Sequence, residues 1–463
     1  MKLDYIRHAY FLGIGGIGMS AIARYFLHAG IEVSGYDKTE TALTRDLESE
    51  GMHIHYTDLG EEVFKRVFDK TSTLVVITPA IPATHQEWHY LKKAGYTILK
   101  RAQVLGIISE SHLTLGIAGT HGKTTTSTML AHILKQSDVD GAAFLGGIST
   151  NYNSNLLLSN KSKYITVEAD EFDRSFLTLH PYMSVITSTD ADHLDIYGQH
   201  DALKQSFKDY ANLTKHLLLI KYELELANEL KSENKAYNIF TYSASNQADY
   251  YADEITIQNG SYHFNFHTPS LTINNIELGI AGRHNVENAV AAAAIALQCG
   301  VTVEELRQGL KSFRGVKRRF EYCIKSNKVT YIDDYAHHPE ELRAIISSVK
   351  EMYPNKKLTV IFQPHLYTRT RDFAAGFAES LSLADELLLL DIYPARELPI
   401  EGVTSGIIFK NVSIADKTAL HMNETLEWVE NKKPELLLTV GAGDIDTLVL
   451  PITLLLKTLN GVE

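Results

Sequence analysis

Between Leu113 and Leu134 the chain runs from a short apolar segment through Gly119-Thr-His-Gly122 into Lys123-Thr124 and a helical pattern that continues from Thr125. Few stretches constrain a fold more tightly. A buried strand must end, glycines must turn the backbone, and a helix must begin at once, so the loop belongs on the carboxyl edge of an α/β sheet. There, free backbone N–H groups and the positive helix end face a phosphate chain. The expected cradle is Gly119, Thr120, His121, Gly122, Lys123, Thr124 and Thr125, with Lys123 on the outer phosphates and the Thr124 hydroxyl on Mg2+. The spacing departs from a standard P-loop, because Ile117 stands five residues before Gly122 and the nearest glycine is Gly116. The reading is still a nucleoside triphosphate site. As an exposed loop residue, Lys123 is expected to add little to stability.

A chain of 463 residues has room for several domains, each with its own core. Hydrophobic content of 44% and charged content of 22% fit an ordinary globular protein. The formal net charge of −12 argues against binding nucleic acid or an anionic membrane, which both want a basic face. Cys299 and Cys323 cannot build a disulfide framework, and a reduced, cytoplasmic compartment suits them. The glycine-broken run Phe11 to Met19 is not a signal peptide, and no apolar run reaches membrane-spanning length.

From the start of the chain, a strand at Ala9 to Leu12 leads into Gly13-Ile-Gly15-Gly16-Ile17-Gly18 and a helix to about Gly30, and a second strand, Glu32 to Tyr36, ends at Asp37. This is the pattern of a dinucleotide-binding turn followed by an acid, and it places a phosphorylated ligand at the helix N-terminus. Strand Leu74 to Thr78 runs into Pro79-Ala-Ile-Pro82, a loop at the same ligand-binding edge. Downstream of the phosphate loop, strands at Tyr164 to Val167, Met183 to Ser188 and His216 to Ile220 precede or follow two acidic clusters, Glu168-Ala-Asp170-Glu171 and Asp190-Ala-Asp192-His193. Hard oxygen ligands beside a triphosphate suit Mg2+. Alternation from Ala248 to Ile280 predicts antiparallel hairpins. A further α/β unit restarts at Asp333-Asp334 and carries strands Leu358 to Phe362, Leu387 to Leu390 and Leu436 to Val440. His365 and Arg369 lie just past the first of these, where a guanidinium can grip a small carboxylate. Of the neighbours His337 and His338, one is expected to face a ligand and the other to pack. Together these patterns predict an α/β protein of three domains. They are a Rossmann-like N-terminal domain at 1–108, a central P-loop ATPase-like domain at 109–314 whose parallel sheet has an antiparallel flank, and a Rossmann-like C-terminal domain at 315–463.

End to end, the chain resembles the Mur ligases of bacterial peptidoglycan synthesis. The resemblance rests on Gly119 to Thr124, Glu168-Ala-Asp-Glu171, Asp190-Ala-Asp-His193, Gly282-Arg-His-Asn285 through Asn288, and Lys317-Arg-Arg319-Phe. Gly13 to Met19, Asp333 to Pro339 and Phe362-Gln-Pro-His365-Leu-Tyr-Thr-Arg369-Thr narrow it further. Phe172 and Leu366 depart from the usual pattern, and neither is assigned chemistry.

The resemblance implies a ligase that uses ATP to phosphorylate the lactyl carboxylate of UDP-N-acetylmuramate, after which L-alanine attacks the acyl phosphate. It implies Lys123, Glu168 and His193 as catalytic groups, with Thr124 and Glu168 on one Mg2+ and His193 on a second. Asn288 would meet the adenine, and Arg319 and Asp333 would close on ATP. Gly15, Gly16, Ile17, Gly18, Asp37, Thr78, Pro79 and Arg101 would hold the UDP-sugar, while His337, His365 and Arg369 would serve the amino acid. Lys208 corresponds approximately to a lysine that several Mur ligases carry as a metal-bridging carbamate. The expected protein is a monomer or dimer. A sister ligase that reattaches a recycled murein tripeptide is the nearest alternative; a nicotinamide dehydrogenase would leave Lys123, Glu168 and His193 without a role.

Overall fold

The computed structural model describes residues 5–65, 69–190, 200–233, 235–258, 260–395 and 397–462. The chain divides into two compact units. The first comprises Met1–Asp253, Asn265–Ile276 and Glu287–Phe313, and the second Glu254–Phe264, Glu277–Val286 and Arg314–Glu463.

The first unit opens with a wholly parallel sheet of β1 (His8–Leu12), β2 (Glu32–Tyr36), β3 (His53–His55), β4 (Thr73–Ile77) and β5 (Thr97–Lys100), in the order β3-β2-β1-β4-β5. β1 and β4 are buried along their whole length, as strands covered on both faces must be. Helices α1 (Ile17–His28), α2 (Ala42–Ser49), α3 (Gln86–Lys93) and α4 (Arg101–Glu110) connect these strands. The glycine loop therefore lies between β1 and α1, at the carboxyl edge.

A second sheet follows, built from β6 (Leu113–Ala118), β7 (Ala142–Ser149), β8 (Ser154–Leu157), β9 (Tyr164–Ala169), β10 (Pro181–Ile186), β11 (Leu217–Lys221), β12 (Asn238–Ser243), β13 (Tyr250–Gln258), β14 (Ser261–His267) and β15 (Thr272–Leu278). Its order is β15-β14-β13-β12-β11-β10-β6-β9-β7-β8. Central β6 is parallel to both neighbours, β10 and β9. That order sets the loops after β9 and β10 on either side of the phosphate loop, which leads from β6 into α5 (Lys123–Gln136). The pair β7–β8 is antiparallel and was not foreseen. Sequence reading passed over it because Gly146-Gly147 interrupts the alternation of β7.

Gly116 in β6 has a packing reason. A Cβ there would overlap the hydroxyl of Tyr210, which is fully buried with its ring stacked on Phe176 at 4.9 Å.

The second unit holds a sheet of β16 (Glu321–Lys325), β17 (Thr330–Asp334), β18 (Leu358–Phe362), β19 (Glu386–Leu389), β20 (Lys417–Ala419) and β21 (Leu436–Val440), in the order β16-β17-β21-β18-β19-β20. Only β16 is antiparallel to its neighbour. Because β17, β21 and β18 are adjacent, Asp333-Asp334, Gly441 and the segment after Phe362 gather at one carboxyl edge. The architecture is mixed α/β on three sheets, as the sequence patterns predict. Among the described residues, no helix is long and apolar enough to cross a membrane.

Gly116→Ala should lower unfolding free energy by about 1–3 kcal/mol through overpacking, measured by chemical denaturation. Tyr210→Phe in the same background should recover part of that loss.

Candidate active site

The phosphate loop is built from both sides. Gly119 and Gly122 have φ of 139° and 81°, in the region that favours glycine. A Cβ on Gly119 would overlap the Thr187 hydroxyl. From the loop after β10, Thr187 Oγ1 donates to the carbonyl of His121 at 2.5 Å, and Ser188 Oγ accepts from the backbone N–H of His121 at 2.7 Å. The hydroxyls of Thr120 and Ser188 lie 2.9 Å apart, and the Asp190 N–H donates to Thr120 Oγ1 at 3.1 Å. Asn288 accepts from the Thr126 hydroxyl at 3.1 Å and lies against Gly122. These contacts fix a loop that opens α5, a helix with no acidic residue in its first turn, which leaves its N-terminus suited to an anion. Thr124 is half-buried and Thr125 buried at this helix start.

Lys123 is not an exposed loop lysine. Its ammonium donates to the Gly119 carbonyl at 2.5 Å and pairs with Glu171, a carboxylate with no exposed surface, at 2.8 Å. Burial alone would lower its pKa, but the carboxylates of Glu171, Asp170 and Glu168 more than reverse this and hold it above the ordinary lysine value. The expectation that Lys123 contributes little to the fold is therefore corrected. Glu168, at the end of β9, lies against Gly146 of β7, where any Cβ would overlap its carboxylate. Asp170 meets Arg101 at 3.3 Å.

Arg101 opens α4 and lies against Gly18, whose Cβ would overlap the guanidinium. Ile17, Gly18, Arg101, Gly146, Glu168 and Asp170 thus line one cleft within the first unit. Gly16 caps α1 without a side-chain bond, and the first turn carries no acid. Asp37 sits on this loop, accepting from the Gly15 N–H at 2.7 Å. Thr78 lies against Gly13, where a Cβ would come within 2.5 Å of its methyl, and Pro79 beside it is exposed.

In the second unit, Asp333 has no exposed surface. It accepts from Arg318 Nε at 3.1 Å and from the Thr439 hydroxyl at 2.6 Å, while Arg318 Nη2 donates to the Gly441 carbonyl at 2.7 Å. Asp333, which the resemblance places near ATP, thus has one oxygen on Arg318 and the other on the Thr439 hydroxyl. Asp334 accepts from the Phe320 N–H at 2.7 Å, and burial raises its pKa to about 6. Arg318 and Phe320 have φ of 61° and 49°, so the two residues flanking Arg319 both sit in the left-handed region. Each costs about 1 kcal/mol or more and persists because its surroundings over-determine it. Arg319 lies over the Tyr335 ring, 5.2 Å from its centroid.

The His337 ring nitrogen Nδ1 lies 3.0 Å from the Tyr335 carbonyl and 3.3 Å from the Glu341 carboxylate. Burial lowers its pKa to about 4, so the ring is neutral at pH 7. It packs edge-on to His365, with centroids 6.1 Å apart, and His365 stacks on Tyr393. Arg369 lies close enough to contribute to the lowering at His337. His338 packs against Phe373 at 4.8 Å. The structure thus brings His337, His365 and Arg369 together.

Lys208 lies beside two carboxylates. On helix His200–Asn212 its ammonium pairs with Glu233 at 2.7 Å and faces Glu229 at 3.8 Å, and these bonds raise its pKa. A carbamate forms on a neutral amine, and this site favours the charged one. His193 lies outside the described residues. Sequence reading placed Glu171 in the acidic cluster beside the phosphate loop but missed its pairing with Lys123, and it missed Gly146, Thr187 and Ser188 as parts of the site. For Glu171 there was a signal, since a lysine placed at a buried sheet edge needs a carboxylate.

Comparison with known proteins identifies the family. The family models "Mur ligase family, catalytic domain", "Mur ligase middle domain" and "Mur ligase, glutamate ligase domain" match residues 8–112, 117–296 and 318–443. The chain is 52% identical over 458 residues to the UDP-N-acetylmuramate–L-alanine ligase of Porphyromonas gingivalis, covering 98% of this chain and 100% of that one. It is 53% identical over 457 residues to the ligase of that name from Parabacteroides distasonis, covering 98% of both. The crystal structure of the UDP-N-acetylmuramate–alanine ligase of Thermotoga maritima superposes with a TM-score of 0.79 at 26% identity over 98% of both chains. The chain belongs to the Mur ligase family.

Lys123→Ala strands a buried carboxylate, so it should destabilise the protein by about 3–5 kcal/mol as well as abolish turnover. Thermodynamic unfolding of Lys123→Ala, Glu171→Gln and the double variant should give a coupling that recovers a substantial part of that loss. Strict additivity would mean that the pair carries no stability.

Proposed function

We propose that this protein joins L-alanine to UDP-N-acetylmuramate at the expense of ATP, releasing ADP and phosphate, in the cytoplasmic synthesis of peptidoglycan precursors. The observation that carries the reading is a cleft in which the start of α1, Arg101, Glu168 and Asp170 meet. It occurs in a chain alike from end to end to ligases of that name. Three domains divided near residues 108 and 314 assign the UDP-sugar to the first, ATP to the second and the amino acid to the third.

A carboxylate is a poor electrophile because its leaving oxygen is basic. In the proposed reaction a lactyl carboxylate oxygen bonds to the γ-phosphorus as the bond to ADP breaks. The L-alanine amine then bonds to the acyl carbon, phosphate departs with the C–O bond, and the amine loses its proton. The work of the protein is positioning and charge stabilisation. Lys123, held charged, neutralises the transferring phosphoryl oxygens. The glycine loop, Asp37, Thr78, Pro79 and Arg101 orient the sugar nucleotide. Arg319, staged by its two left-handed neighbours, answers the phosphates, and Asn288 holds the loop while bordering the base. His337, His365 and Arg369 receive the amino acid, with the guanidinium on its carboxylate.

Thr124 and Glu168 supply hard oxygen donors that suit Mg2+, a cation that keeps several waters and takes one or two carboxylates, and His193 is the proposed donor to a second ion. The crowding of Glu168, Asp170 and Glu171 around one lysine fits a site that gains from added positive charge. When bound, Mg2+ neutralises charge on the phosphate oxygens.

Phosphate release should require ATP, UDP-N-acetylmuramate and an amino acid together, with L-alanine preferred; release in the absence of the UDP-sugar would overturn the proposal. Arg369→Ala should raise the KM for L-alanine by about tenfold or more and leave that for ATP within about twofold. Equal rises would place Arg369 on the nucleotide instead.

A further inference from the structure

The β7–β8 hairpin touches two parts of the site at once. On β7, Gly146 makes room for the Glu168 carboxylate. On β8, Asn155 is fully buried, and every polar atom of its side chain is directed at α1. Its Nδ2 donates to the Ile17 carbonyl at 2.5 Å and to Ser20 Oγ at 2.9 Å. Its Oδ1 accepts from Arg24 Nη1 at 2.6 Å. Arg24 in turn forks onto Glu50, with Nε and Nη2 at 2.9 and 2.6 Å. The first turns of α1, the helix whose glycine loop is the proposed diphosphate seat, are therefore tied by a buried amide to the strand pair that seats Glu168.

We infer that Asn155 is a positioning residue that sets the distance between the bound sugar nucleotide and the phosphate loop. This rests on the function proposed above and adds a residue to it. A buried amide that donates to Ile17 and Ser20 and accepts from Arg24 holds one helix at three residues, and so resists its translation and its rotation. An in-line attack tolerates little displacement, and a shift of about 1 Å costs about a hundredfold in rate. The phosphate loop does not depend on this clasp. It is held by Thr187, Ser188 and Asn288. Loss of the clasp should therefore fall on the sugar nucleotide and spare ATP.

The test is steady-state kinetics of the full chain with each substrate varied, together with calorimetric titration of a non-hydrolysable ATP analogue. Asn155→Ala should raise the KM for UDP-N-acetylmuramate by about tenfold or more and lower kcat, with KM for ATP and affinity for the analogue within about twofold of wild type. Asn155→Asp, which keeps the shape but cannot donate to the Ile17 carbonyl, should behave alike. Arg24→Met, at the outer end of the clasp, should raise the same KM by about threefold. A matching rise in KM for ATP, or no change in either constant in a folded variant, overturns the inference. If circular dichroism shows Asn155→Ala unfolded, Arg24→Met decides, and an unshifted KM for the UDP-sugar there overturns it. Wild-type turnover separates the two claims: a wild type inert toward the UDP-sugar sinks the proposed function, whereas an active wild type with an unselective Asn155 variant sinks the clasp alone.

Discussion

The buried ion pair between Lys123 and Glu171 is the interaction on which the rest of the site depends. Glu171 has no exposed surface, and a carboxylate taken out of water survives as an anion only beside a cation held in place. Lys123 meets that need while its ammonium also bonds the Gly119 carbonyl, so one group closes the phosphate loop and balances the acidic loop after β9. The order β10-β6-β9 makes this possible, because it puts the carboxyl ends of three adjacent parallel strands side by side. A phosphate chain arriving there meets a cation already charged and already oriented, and the reorganisation cost at the moment of reaction is small.

The second unit joins backbone strain to a buried pair of its own, Arg318 with Asp333. Asp333 and Asp334 end β17 and spend their oxygens on Arg318 and on the Phe320 N–H, which keeps the residues on both sides of Arg319 in the left-handed region. Asp333 thereby supports Arg318, and Arg319 lies between two strained neighbours. Next to it, a neutral His337 lies beside His365 and near the guanidinium of Arg369, a group suited to a carboxylate.

Much of this was legible in the sequence, and the limits have physical causes. Glycines at Gly119 and Gly122 and the apolar run of β6 marked a strand–loop–helix because few other backbones accept that order. Strands β2, β18 and β21 were read at their observed bounds, since buried parallel strands are short, continuous and apolar. The β7–β8 hairpin was not, because its glycines serve a neighbouring carboxylate and break the pattern that marks a strand. Within Glu168-Ala-Asp170-Glu171 the acids look equivalent in sequence; only the fold decides that one is sealed beneath Lys123, one meets Arg101 and one faces Gly146. The surroundings of Lys208 were hidden for a related reason. Helical spacing reports which residues share a face but not what the next helix presents to it, and that helix presents Glu229 and Glu233.

The central claim is that a carboxylate is activated by phosphoryl transfer between the two glycine loops of the first unit. It is tested most directly with UDP-N-acetylmuramate carrying oxygen-18 in its lactyl carboxylate, turned over with ATP and L-alanine. An acyl phosphate passes one of its carboxylate oxygens to the leaving group, so the account predicts one labelled oxygen in the phosphate released for each doubly labelled carboxylate consumed. Amide product accompanied by unlabelled phosphate would contradict it.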